Sequence, residues 1–220
     1  MSLPREEVVA GFLGEMERFE ELLRSLSATE WATPSRCEGW TAGDVASHVT
    51  GQLADIANGR FDGLGTPEVT EREVAERRGK SATEVADELS GVRAISKDLL
   101  SAFDDAAWAG PSPAGSGTLG DGVEALWYDA WMHADDIRAA VGRTTEGGAG
   151  VRASVSHLAL LLTENGFGPA TIAVDGVEEF AVAGGGGQRI TGDAIDFILA
   201  ASGRIPASKI GQDDRINVYA

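Results

Sequence analysis

Four stretches of this chain repeat apolar residues at intervals of three and four, and that period constrains the fold more than any other feature. In the first, Val8, Val9, Phe12, Leu13, Met16, Phe19, Leu22, Leu23 and Leu26 predict an amphipathic helix over about residues 4–26. The second runs from about 42 to 59, with Val45, Val49, Leu53 and Ile56 on one stripe and His48 beside it. Thr41 is placed to cap it, and Asp44 three residues on completes a start of the capping-box type. The third opens at Ser81-Ala82-Thr83-Glu84 and continues through Val85, Leu89, Val92, Ile95, Leu99, Leu100 and Phe103 to about 104. The fourth spans about 120–141 and stops at Gly142. Four such segments, each with one face to bury, predict a four-helix bundle.

The segments between them read as connections. Residues 27–39 form a loop with room for one short helical turn. Residues 60–80 hold glycines, Pro67 and mixed charge, and read as a loop with a short helix at most. Residues 109–120 (AGPSPAGSGTLG) form a flexible connection.

At residues 144–150 (TTEGGAG) the pattern breaks, which divides the chain into a bundle domain over 1–145 and a second domain over 150–220. Residues 151–165 read as a helix. Two short β-like runs, 171–174 and 179–182, flank Asp175-Gly176, a hairpin turn signal. The glycines at 184–187 form a tight turn or flexible loop, and lack the Gly-Lys-Ser/Thr of a phosphate loop. Thr191 is read as the cap of a helix over 194–201, and residues 215–219 as a closing strand. The whole is therefore mainly α, with a small α+β unit following the bundle. No internal repeat at a fixed period is present.

Composition bounds the function. The chain has 220 residues, 43% hydrophobic and 24% charged, as in globular proteins generally. Its 35 acidic against 18 basic residues give a net charge of −17. That field repels phosphate backbones and anionic bilayers, so neither a nucleic acid nor a membrane is expected as a partner. No apolar run reaches the roughly 18 residues of a membrane-spanning helix. The N-terminus mixes charge with apolar residues and reads as a helix rather than a signal peptide, so a cytoplasmic location is expected. The single cysteine, Cys37, excludes an internal disulfide and any multi-cysteine metal site.

The chemistry-bearing residues fall on the second and fourth helices. Asp129 and His133 are spaced i, i+4 and project from one face, and His48 on a facing helix can supply a third ligand. Imidazole and carboxylate suit Zn²⁺ and its neighbours, and three protein ligands leave an open position, as in catalytic sites. Asp136 lies seven residues after Asp129, placed to hold a ligand histidine in one tautomer, whereas Asp135 points elsewhere and reads as solvated. Spacing alone leaves a second reading open: a surface Asp–His pair and an unrelated His48. Trp31, Trp40, Trp127 and Trp131 read as core aromatics, with Trp127 and Trp131 bracketing the metal face. Cys37 reads as a small residue in a tight turn beside Trp40. His157, among Val155, Leu158 and Leu161, reads as a core or boundary histidine.

Three runs carry a family resemblance. Trp31…Cys37-Glu38-Gly39-Trp40-Thr41, followed by Asp44-Val45-Ala46-Ser47-His48, resembles the N-terminal signature of the mycothiol-dependent maleylpyruvate isomerase-like proteins. Asp129-x-x-x-His133-x-x-Asp136 with Gly142-Arg143 resembles that family's second signature, and Ile190-Thr191-Gly192…Leu199…Gly203-Arg204 its C-terminal pattern. The resemblance implies a DinB-like four-helix bundle followed by a small sterol-carrier-like α+β domain. It implies a divalent metal, usually zinc, on His48, Asp129 and His133. At one position the chain departs from the isomerase, which carries Glu where Asp129 stands; the shorter side chain draws a metal closer to the fourth helix or shifts the helix.

The resemblance also implies a reaction. A low-molecular-weight thiol, mycothiol, adds to a cis double bond conjugated with a carbonyl. The adduct rotates about the resulting single bond and expels the thiol, leaving the trans isomer. The thiol comes from the cofactor rather than from Cys37. Arg204 is then the candidate catalytic residue, a bidentate partner for a substrate carboxylate; its other reading is a cation at a helix C-terminus. Thiol transfer to a small electrophile is the alternative activity, and a non-enzymatic metal or small-ligand binder on the same fold is the alternative class.

Overall fold

A computed structural model of the chain describes residues 3–114 and 117–220. Two compact units emerge, Pro4–Glu146 and, with Leu3, Gly147–Ala220. The first contains α1 (Arg5–Arg24), α2 (Ala28–Trp31), α3 (Ala42–Ala57), α4 (Pro67–Ala75), α5 (Ala82–Ala102), α6 (Asp105–Trp108) and α7 (Leu119–Ala140). The four long helices are the four predicted segments. α1 packs on α5 and α7, and α3 closes the ring against the same two, with α4 laid on its outer side. Phe12, Met16, Phe19, Leu23, Val45, Val49, Leu89, Trp127 and Ile137 fill the core.

Helix starts are fixed locally. Ser27 with Glu30, Thr41 with Asp44, Ser81 with Glu84 and Thr118 with Asp121 each form a capping box, satisfying backbone N–H groups that have no partner within the helix. The segment over 60–80 is more ordered than its composition suggests. Thr66 caps α4 and Pro67 occupies its first turn, where a missing N–H costs nothing. The flexible connection expected over 109–120 holds a bridge between Pro111 and Thr118, and Gly115 and Ser116 lie outside the described residues. No helix among the described residues is long and apolar enough to cross a membrane.

The second unit contains α8 (Ala149–Glu164), β1 (Ala170–Val174), β2 (Phe180–Val182), β3 (Gln188–Gly192) and α9 (Ala194–Ala201). β1 is central. It pairs antiparallel with β2, Ile172 opposite Phe180, and parallel with β3, Ile172 opposite Ile190. α8 covers β2 and meets α9, burying Val155, Leu158, Leu162, Ile172, Ile190 and Phe197. The glycine run before β3 is a tight turn at Gly187. A Cβ there would lie 2.2 Å from the Pro169 carbonyl oxygen, and φ is +56°.

Two expectations are corrected here, and one strand had not been anticipated. α9 is capped by Asp193, whose side chain accepts from the Asp196 N–H, while Thr191 lies inside β3. Residues 215–219 form no strand; a 3-10 turn, Asp214–Ile216, ends the chain instead. β3 itself has a single buried residue, Ile190, and so carries no period-two signal.

Candidate metal centre

The capping box at Thr41 fixes where α3 begins, and His48 follows two turns later, 7% exposed. The box at Thr118 does the same for α7, which carries Asp129 and His133 one turn apart. The two histidine rings meet edge to face, with centroids 5.3 Å apart, and Trp40 tilts against the His48 ring at the same distance. His133 Nε2 lies 3.5 Å from Asp129 Oδ1. One donor atom each from His48, Asp129 and His133 falls within 4.8 Å of the others. Asp129 Oδ2 is buried without a hydrogen-bond partner.

Each histidine is held from behind by a carboxylate. His133 Nδ1 lies 2.8 Å from Asp136 Oδ2, and His48 Nδ1 lies 2.8 Å from Glu73 Oε2. A carboxylate accepting from Nδ1–H fixes the tautomer and leaves the Nε2 lone pair for a ligand or metal. Asp136 is itself gripped: Arg36 Nε donates to Oδ1 at 2.5 Å, and the Cys37 thiol donates to Oδ2 at 3.4 Å. The other arm of Arg36 reaches Asp135 Oδ2 at 2.5 Å.

The donor set fits a divalent cation. A tetrahedral ion with bonds of 2.0–2.1 Å spaces its donors about 3.3 Å apart, close to the Asp129–His133 separation. The orphaned Asp129 oxygen, the two pre-set imidazoles and the surplus of carboxylates all call for positive charge. Without a metal, a proton serves. Burial disfavours the His133 cation, but the Asp129 charge and hydrogen bonds with Asp136 and Cys37 outweigh it and raise its pKa to about 10.

The structure thus brings His48, Asp129 and His133 together, and sets Asp136 behind His133. Asp135 is not solvated; it is 2% exposed, because Arg36 crosses to it from the loop before α3. Cys37 does occupy a turn near Trp40, yet its sulfur also forms a second close group with His133 and Asp136. Glu73 and Arg36 carried no signal of their own. The Thr66-Pro67 start was the only cue that 60–80 held a helix able to present Glu73. Arg204 belongs to the other unit, at the end of α9, where its Nη1 donates to the Ser202 carbonyl at 2.9 Å.

A helical bundle with a His/Asp/His donor set, followed by a small α+β unit, is the class that fold and site define. A sequence profile for the mycothiol maleylpyruvate isomerase N-terminal domain matches residues 12–138, and the chain belongs to that family. Among solved structures, the mycothiol-dependent maleylpyruvate isomerase matches with a TM-score of 0.67 and 18% identity, over 92% of this chain and 90% of that one. A histidine-to-alanine mutant of the mycothiol-dependent maleylpyruvate isomerase matches with a TM-score of 0.67 and 16% identity, over 93% and 91%. The mainly helical fold is the same. No curated protein is a significant match to the sequence.

Proposed function

We propose that the chain is a metal-dependent enzyme that uses mycothiol on a small electrophilic substrate, as an isomerase or a thiol transferase. The observation that carries this reading is the convergence of His48, Asp129 and His133, with both imidazoles backed by carboxylates. Family membership supports the choice of thiol.

Held by these three side chains, a divalent cation (zinc suits the donors best) would supply Lewis acidity at an open position and lower the pKa of a thiol there. The protein's part is orientation. Asp136 and Glu73 fix the two imidazoles, Arg36 holds Asp136 in place, and Trp40 walls one side of His48. Asp129 offers its free oxygen. Arg204 is proposed as the partner of a substrate carboxylate, through the paired donors of its guanidinium.

The test is metal analysis of protein purified without a nickel column, followed by thiol consumption with mycothiol and a panel of electrophiles. About one equivalent of zinc is expected, lost together with turnover in a His48→Ala/His133→Ala variant. Arg204→Lys is expected to raise KM for a carboxylate substrate while leaving the metal in place. Wild-type protein without stoichiometric metal, or metal retained by the double variant, overturns the site. Metal without any thiol consumption points instead to a non-enzymatic binder on this fold.

A further inference from the structure

We infer that Glu73 is a positioning residue for the metal centre, holding His48 in place and supplying the negative charge behind it. The inference rests on the metal reading above. It starts at Gly51, three residues after His48 and on the same face of α3. A Cβ at Gly51 would lie 2.6 Å from Glu73 Cβ and 2.8 Å from Arg77 Nη1, so α4 approaches α3 through the space that a side chain would fill. Through that gap Glu73 reaches His48 Nδ1.

The environment of Glu73 is unusual for a carboxylate. It is 1% exposed, and its Oε1 is buried without a partner. Among the described residues, His48 is the only hydrogen-bond partner of its carboxylate. The neighbouring cation, Arg77, gives no hydrogen bond to this carboxylate: Nη1 donates to the Glu73 backbone carbonyl, Nη2 to Glu88, and Nε is buried without a partner. Asp136, behind the other histidine, differs in having the Arg36 guanidinium on it. The carboxylate behind His133 carries a guanidinium as well as an imidazole, and the one behind His48 carries the imidazole alone. A buried carboxylate is costly without nearby positive charge. A cation on the far side of the His48 imidazole would face this carboxylate through the ring. The same carboxylate makes that imidazole the stronger donor. α4, a helix with no ligand of its own, thereby sets how tightly the site holds metal.

The experiment strips full-length protein with a chelator and titrates it with zinc against a chromophoric competitor, alongside a melting curve of the metal-free form. Glu73→Gln keeps the size and an acceptor for His48 but removes the charge. Its zinc Kd is expected to rise about 10- to 100-fold, with a metal-free Tm no lower than wild type. Gly51→Ala leaves every ligand and Glu73 intact while pushing α4 outward, and is expected to weaken zinc about tenfold or more. Glu76→Gln, half-exposed at the end of α4, should leave Kd unchanged. A wild-type Kd in Glu73→Gln overturns the role of Glu73. So does a loss of affinity that merely accompanies a collapsed metal-free Tm. Wild-type protein that takes up no zinc overturns the metal reading instead, so the two failures are distinct.

Discussion

Gly11 offers a sharp test of how the bundle is packed. It sits in α1 against the indole of Trp127, on α7. A Cβ at this position would lie 2.0, 2.2 and 2.4 Å from three ring carbons. Ordinary carbon contacts lie at about 3.5–4.0 Å, so a methyl group needs roughly 1.5 Å of room. The ring cannot give it. Trp127 is fully buried, and its Nε1 donates to Glu15 Oε2 at 3.3 Å, one turn further along α1. Overpacking costs about 1–3 kcal/mol, and a rigid ring facing a rigid helix puts this site at the upper end. Alanine regains about 1 kcal/mol of helix propensity over glycine. Gly11→Ala should therefore destabilise the bundle by about 2 kcal/mol. Gly91, on the exposed side of α5, has nothing within 4 Å of its would-be Cβ. Gly91→Ala should stabilise by up to about 1 kcal/mol, so the same chemical change carries opposite signs at the two sites. All five tryptophans lie within residues 4–146, so emission during urea unfolding reports on the bundle alone. A shifted midpoint at unchanged slope is the expected signature. Wild-type stability in Gly11→Ala, or equal losses in both variants, would refute the packing argument.

Two further predictions concern the charges around the site. Arg36→Gln leaves Asp135 and Asp136, 2% and 0% exposed, without their guanidinium. A loss of about 3 kcal/mol is expected, at the lower end for a broken buried pair because Arg36 keeps some exposure; an unmoved urea midpoint would contradict it. The second concerns protons. With the His133 pKa raised from 6.5 to about 10 in the metal-free fold, its contribution to stability is full below pH 6.5 and fades as pH rises through 10. Zinc entering at pH 8 must then displace that proton, releasing about one per metal. Heats of zinc binding in two buffers of different ionisation enthalpy count it, and equal heats would rule the displacement out.

What could be read from the chain was what is encoded locally. Apolar spacing and the side chains at Thr41 and Ser81 act within one or two turns, so the long helices and two of their starts are legible in the residues themselves. His48, Asp129 and His133 were candidates by residue type and helical spacing, but spacing left a plain Asp–His pair equally open, and the resemblance of the runs around Cys37–His48 and Asp129–Asp136 is what joined them into one site. Asp135 was misjudged for a physical reason: a helical wheel shows which way a residue points within its own helix, and the Arg36 that buries it arrives from 99 residues away. Glu73 escaped notice because α4 is nine residues long and its decisive contact is with a missing side chain, Gly51. β3 escaped because a parallel edge strand with one buried residue is defined by its partner rather than by its own pattern.

The double grip of Arg36 bears on how portable this centre is. Asp135 and Asp136 are consecutive, so they leave α7 about 100° apart around its axis, and a single forked cation spans both. A lysine, with its charge at one point, would reach one and abandon the other. Anyone grafting the three donor side chains onto another helical scaffold would transfer only their positions. The orientation resides in a wider set: Asp136 and Glu73 against the imidazoles, Arg36 across two carboxylates, and a glycine at 51 to admit the helix that carries Glu73. The transferable object is an eight-residue constellation on four chain segments, and a graft limited to the donors would inherit loose rings and an uncommitted tautomer.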